Sequence, residues 1–210
     1  MNNIIKKSIN KDIVLDSLDS NCYDIKKNAK VIINLDRNYM SNCIFNLEEN
    51  SYLIINKKYN ENEIEEDITI NLNGFNSRVD YNFSTYTKSN QKYIININHN
   101  NKNTISNVIN HGVVINDSKL LFEVNSKVEK GNVKSVLNQS SKIIVMASNN
   151  SVIKPNLLID EYDVEAVHAA TIGRFSKEDI FYLMSKGIDK ESAIDLLIKG
   201  FLNVGGEVWI

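Results

Sequence analysis

Between residues 155 and 202 the chain changes its hydrophobic period. It enters as alternating apolar and polar residues, the mark of a half-buried strand. It leaves as two segments with apolar residues three and four apart, the mark of amphipathic helices. A single histidine, His168, lies just before the switch. A fold made from this sequence must join a β region to a helical end, with one imidazole near the joint.

Roughly the first 150 residues read as short strands. Examples are 29–35, 51–56, 67–72, 78–86, 93–97, 113–115, 120–124 and 142–147, many of them short and separated by Asn, Asp, Ser or Gly. Strands about ten residues apart fit a sandwich, a barrel or a β-solenoid. The Asn-rich turns suit a solenoid, because Asn tolerates left-handed backbone and its amides can stack between coils. No strict repeat marks the coils. After Pro155, the only proline, the helical end is clearer. Ser176 caps a first helix with Asp179 three residues on, Ile180, Phe181, Leu183 and Met184 form its apolar positions, and Gly187 closes it. Asp189 caps a second helix with Ala193, Ile194, Leu197, Ile198 and Phe201 on one side. The pair forms an αα-hairpin whose apolar face covers the end of the β core or docks a partner.

Charge and composition exclude several function classes. A net charge of -2 gives no electrostatic footprint for nucleic acid. No apolar run approaches the ~20 residues that span a membrane, and the first residues do not read as a signal peptide. Cys22 and Cys43 lack metal-ligand spacing; they read as buried small apolar residues in a reducing, cytoplasmic setting, with a disulfide between them left open. No phosphate loop occurs, so the chain is not expected to hydrolyse ATP itself. Two acidic runs, 61–67 and 160–165, are the candidates for a carboxylate-based polysaccharide-cleaving site of the kind β-helices also host. His99 and His111 receive no role.

The residues around the junction carry a resemblance. They are Pro155-x-Leu157-x-Ile159, Asp163-Val164, His168-x-Ala170-Thr171-x-Gly173, Phe181-Tyr182-Leu183, Ser185-x-Gly187-Ile188 and Ala193-x-x-Leu196-Leu197-Ile198-x-Gly200-Phe201-Leu202. In order and without gaps, they resemble the C-terminal region of the SufB/SufD family, scaffold proteins of the SUF iron–sulfur cluster assembly machinery. Gly112-Val113, Phe122, Val128 and Gln139-Ser140 extend the likeness upstream. Before about residue 100 it is one of general character, and nothing corresponds to the N-terminal helical region of long members. The resemblance implies a mostly β fold: a right-handed parallel β-helix over residues 1–170, then a C-terminal α-helical hairpin over 171–210.

Within the family the SufB branch carries Cys after the Gln and Glu after the His. Here Gln139 is followed by Ser140, and His168 by Ala169, with His168 28 residues after Ser140. The pattern resembles SufD. It implies that His168 lies at a cluster-assembly interface and serves as a metal ligand only with ligands borrowed from a partner. A serine hydroxyl cannot replace a thiolate as sulfur acceptor or soft ligand, whereas a neutral imidazole can ligate iron or carry a proton. Glu161, Asp163 and Glu165 are candidate helpers, or simply a solvated face. The resemblance further implies a non-catalytic subunit with no permanently bound cofactor and a transient iron–sulfur cluster at a subunit interface. Its partners would be a SufC-type ABC ATPase, docked near Phe181, Tyr182, Ile188 and Phe201, and a SufB-type subunit or a second copy. The rival readings are a polysaccharide-active β-helix enzyme and a degenerate paralogue that binds the ATPase without a cluster role.

Overall fold

The computed structural model describes residues 5–36, 40, 42–59, 63–147 and 150–204. Fourteen strands come first: β1 (Lys6–Ile9), β2 (Ile13–Leu15), β3 (Cys22–Ile25), β4 (Lys30–Asp36), β5 (Cys43–Leu47), β6 (Tyr52–Tyr59), β7 (Ile64–Leu72), β8 (Arg78–Thr87), β9 (Gln91–His99), β10 (Ile105–Val114), β11 (Leu120–Val128), β12 (Ser135–Val145), β13 (Val152–Ile159) and β14 (Val164–Gly173). Two helices follow, α1 (Lys177–Ser185) and α2 (Lys190–Leu202). Odd strands form one seven-stranded sheet and even strands another, each in sequence order. Every pair is parallel, for example β10 with β12 and β12 with β14. The chain is therefore a two-faced parallel β-helix, each coil giving one strand to each sheet. Right-handed winding is the sense that right-twisted strands favour in parallel crossovers.

Alternation decides which side chains enter the lumen. In β6, Leu53, Ile55, Lys57 and Tyr59 are buried, while Tyr52, Ile54, Asn56 and Lys58 face outward. In β9, Tyr93, Ile95, Ile97 and His99 are buried between half-buried neighbours. The lumen is packed with aromatic rings: Phe83 lies 4.5 Å from Tyr93 and 5.9 Å from Phe122. One ion pair sits among them. Lys57 Nζ donates to both carboxylate oxygens of Glu66, lies 5.1 Å from the centre of the Phe83 ring, and is fully enclosed. Burial holds its pKa down against the pull of Glu66.

A corner repeats along the coils. Asn28, Asn50, Asn76, Asn103 and Lys134 adopt positive φ, between 55° and 63°, which Asn tolerates better than most residues. Their backbone N–H groups donate to carbonyls of the following coil, for example Asn50 N to Phe75 O at 2.9 Å and Asn103 N to Val133 O at 3.0 Å. The next residue is Ser or Thr at four of the five corners. Its hydroxyl donates to the carbonyl three residues back, as in Ser51 to Glu48 at 2.7 Å and Ser77 to Gly74 at 2.8 Å. Gly74 is required there: a Cβ would lie 1.9 Å from Glu49 N. Strand length also changes along the stack, from 4 residues in β1 and 3 in β2 to 8 in β13 and 10 in β14.

The helical end matches its sequence signals. Ser176 Oγ accepts from the backbone N–H of Glu178 and Asp179, Asp189 caps α2 through Ser192 N at 3.0 Å, and Gly187 takes φ 87°. Helix α2 lies on the outer face of the even sheet, with Ile198 and Leu202 packed at Val113. The run expected at 113–115 is the tail of β10, which begins at Ile105. The run at 142–147 is the end of β12.

Candidate functional site

The last coil ends in two free edges. Strand β13 closes the odd sheet and β14 the even one, and among the described residues no strand pairs with the outer side of either. Strand β14 stays exposed or half-buried throughout, because no further coil covers its inward side chains. His168 sits on it in register with Gln139 of β12. Partners in a parallel ladder point the same way, and Gln139 points inward. His168 therefore occupies the open mouth of the lumen, flanked on its own face by Ala166 and Ala170.

Gln139 is almost fully enclosed. Its Nε2 donates to Ser126 Oγ at 2.8 Å and to the Asn156 carbonyl at 3.4 Å. Its Oε1 is buried with no partner. A buried acceptor left open is costly, and the nearest rung of the next strand carries an imidazole. The sequence marks Gln139 only as a register position; its orphaned carbonyl next to His168 becomes visible only in the fold.

Ser140 and Ala169 pair one residue further on and so face outward. They line a shallow groove of about 460 Å³ with Asp80, Asn107, Asn138 and Val167. The four family-register positions thus divide between two faces: Gln139 and His168 on the lumen side, Ser140 and Ala169 on the outer side. Among the described residues no group of three or more His, Cys, Asp or Glu could hold a metal.

The acidic residues near the mouth have local tasks. Glu161 accepts from the backbone N–H of Gly131 at 2.8 Å, Tyr162 at 2.8 Å and Asp163 at 3.3 Å, and these bonds hold its pKa down. The Asp163 carbonyl accepts from Lys134 N at 2.5 Å. Tyr162, between them, projects fully into solvent. In the other acidic run Glu61 lies outside the described residues. There Glu66 is bound to Lys57, Asp67 accepts from Asn96 at 2.8 Å, and Glu65 pairs with Lys92 at 2.5 Å.

At the helical end Phe181 and Tyr182 are 64% and 63% exposed. Helix α1 buries none of its residues. Beside it runs a groove of about 470 Å³ with Phe175, Ile180 and Met184 on its walls and Arg174, Lys177 and Lys190 at its rim. Ile188 is half-buried. Phe201 is half-buried too, stacked on the His111 ring with centroids 4.5 Å apart. Residues 205–210 of the expected helical region lie outside the described residues.

The remaining expectations concern groups inside the stack. His99 is enclosed, with Nδ1 at 2.8 Å from Thr104 Oγ1 and Nε2 at 2.9 Å from Ser106 Oγ; burial pushes its pKa down to about 4. Cys22 and Cys43 are buried free thiols, and burial pushes Cys43 up to about 11. No described helix is long and apolar enough to cross a membrane.

Comparison with known proteins extends the likeness. The family model described as SUF system FeS cluster assembly, SufBD core domain, matches residues 24–201, so the early coils belong to the likeness as well. The chain is 40% identical over 96 residues to the iron-sulfur cluster assembly protein SufD of Bacillus subtilis, 45% of this chain and 22% of that relative. It is 46% identical over 48 residues to SufD of Escherichia coli, 23% of this chain and 11% of that protein. A SufBD family protein of Pyrococcus horikoshii is 47% identical over 45 residues, 21% of this chain and 10% of its own. The matched stretches thus span about a tenth to a fifth of these relatives. With the core-domain match running from the third strand to the last helix, the chain belongs to the SufBD family of SUF iron–sulfur cluster assembly proteins, and it is SufD-like.

Proposed function

We infer that the chain is a SufD-like scaffold subunit of the SUF machinery, without catalysis of its own and without a resident cofactor. It pairs through the open edges of β13 and β14 with a SufB-type subunit or an identical chain. It docks a SufC-type ABC ATPase through its C-terminal helices, and it works in the reducing cytoplasm. An iron–sulfur cluster is its transient cargo at the subunit boundary. The observation that carries the reading is the core-domain match over residues 24–201, which includes the strand bearing His168 and both helices.

The geometry supports the pairing and the docking. A free strand edge offers main-chain hydrogen bonds to an added strand. His168 stands on the edge strand itself, so a chain paired there brings its own ligands to the imidazole. One imidazole cannot complete an iron site, and Ser140 cannot accept sulfur as a thiolate does. Phe181 and Tyr182 are large, exposed and carried on a helix with no fully buried residue, as befits a docking element.

Co-purification with a SufC-type ATPase tests the docking. The full chain retains the ATPase, and a truncation before Ser176 loses it; unchanged retention by the truncated chain would rule the docking out. Anaerobic reconstitution with all partners separates a working subunit from a paralogue, which would hold the ATPase yet add nothing to cluster yield.

A further inference from the structure

Among the described residues the strands carry four side-chain ladders on their outer faces, and all run the same way. On the odd sheet Asn46 donates to Asp24 at 3.0 Å, Asn71 to Asn46 at 2.8 Å and Asn98 to Asn71 at 2.8 Å. Beside it Asn96 donates to Asp67 at 2.8 Å, Asn125 to Asn96 at 2.9 Å and Asn156 to Asn125 at 2.7 Å. On the even sheet Asn56 donates to Asn34 and Asn82 to Asn56, both at 3.0 Å. Asn107 donates to Asp80 at 2.7 Å, and Asn138 to Asn107 at 2.9 Å. In every rung the amide nitrogen points to the preceding coil.

Chemistry fixes that direction. Three of the four ladders begin on an aspartate, and a carboxylate only accepts. The first amide must turn its NH2 towards the Asp, which leaves its carbonyl for the next NH2. The polarity then passes from rung to rung. Among the described residues one ladder reaches a terminal strand, Asp67–Asn96–Asn125–Asn156. It ends with Asn156 Oδ1 facing onward from the exposed edge of β13.

Pro155 stands next to this open rung. Asp160 N donates to Val128 O at 2.9 Å, and alternate residues of a parallel strand bond to the same neighbour. Asn156 and Leu158 thus bond towards β11, and Pro155 faces the free edge. It costs the sheet no hydrogen bond there, but it leaves the edge one donor short beside Asn156.

We propose that Asn156 Oδ1 selects the strand that adds to β13: the incoming strand carries a side-chain N–H donor, an Asn, Gln or Lys, in the facing rung, and it belongs to a different chain rather than a second copy. This rests on the edge-pairing reading above and adds the chemistry of the partner's residue. Two copies paired at this rung set one Asn156 carbonyl against the other. Turning one amide over moves the clash to Asn125, then to Asn96, and finally against Asp67, which has no proton to give at neutral pH. The clash can be moved but not removed. A register that sets Lys154 against Asn156 supplies a donor, yet it centres the pair on Pro155 opposite Pro155, where both backbone donors are missing. An acidic residue in the facing rung is rejected as a second acceptor.

The test uses the full chain with a SufB-type subunit, comparing wild type, Asn156→Asp and Asn156→Leu. Both substitutions fall on an exposed residue of the last odd coil, and urea unfolding checks that the stack stays intact. Hydrogen exchange reports edge pairing independently, through protection of the Leu157 and Ile159 amides in the wild-type complex. The expected result is that protection together with at least a ~10-fold rise in Kd for both variants. Protection with an unchanged Kd in both variants overturns the rung and leaves edge pairing standing. No protection overturns edge pairing, and the rung with it. Wild-type chains that pair with each other through β13 as tightly as with the SufB-type subunit overturn the choice of a different chain.

Discussion

Nδ1 of His111 donates a 2.6 Å hydrogen bond to the carbonyl of Phe201, and the two rings lie 4.5 Å apart and 7° from parallel. This contact, 90 residues apart in sequence, ties α2 to the outer face of β10. Carbonyls in the last turn of a helix lack intrahelical donors, so the imidazole also closes the end of α2. His111→Ala should cost about 1–3 kcal/mol, from one hydrogen bond and one ring stack. Urea unfolding measures the loss, and hydrogen exchange in α2 shows whether the helices loosen before the strands. Unchanged exchange in α2 would mean that the apolar seam holds them unaided.

His99 should make stability depend on pH. Its folded pKa, about 4, lies below the ordinary imidazole value of 6.5. The unfolded chain therefore takes up the proton first as pH falls. Stability is full above about pH 6.5 and declines towards pH 4, by about 3 kcal/mol for a shift of this size. Carboxylates titrate in the same window, so the comparison that matters is with His99→Asn, whose curve should be flatter. Parallel curves would contradict the assignment.

The Lys57–Glu66 pair should be costly to halve and inexpensive to replace. Lys57→Met leaves the Glu66 carboxylate in the lumen with the Met40 N–H at 2.7 Å, and about 3–5 kcal/mol should be lost. Replacing both residues by Met should recover most of that loss, because paired burial of charge is near break-even against apolar packing. A double-mutant cycle by chemical denaturation measures both terms.

His168→Ala should leave the fold within about 0.5 kcal/mol, since the side chain sits at an uncovered mouth. Its effect should fall on cluster yield in the presence of all partners. Gln139→Leu, which removes the orphaned carbonyl, should lower cluster yield less, with ATPase binding intact. Normal yield in His168→Ala would remove the imidazole from the site.

The β-to-helix order, the caps at Ser176 and Asp189 and the Asn-bearing turns were legible because each rests on local chemistry. The repeat was not. Its mark is a positive-φ corner residue, Asn at four of the five, mostly followed by Ser or Thr, but the separation varies: Asn28 and Asn50 are 22 residues apart, and Asn50 and Asn76 are 26. A search for a fixed period passes over it. Strands β2 and β3 break the alternation: β2 is three apolar residues in a row, and β3 buries the adjacent Cys22 and Tyr23. Lys57 and Glu66 obey the alternation but not the polarity expected of a lumen. Of the site, His168 was legible through its neighbours, whereas the orphaned Gln139 Oε1 and the His111–Phe201 contact depend on long-range register.

The lengthening of the strands along the stack makes the first described coil narrower than the last. A β-helix is open at both ends, and copies stacked head to tail would grow without limit into a fibre. Here a coil of 3- and 4-residue strands would have to meet one of 8 and 10. The cross-sections do not match, so much of the wide end's backbone would stay unpaired at each junction. A coil as narrow as β1 and β2 is thus a poor continuation of the broad edge formed by β13 and β14.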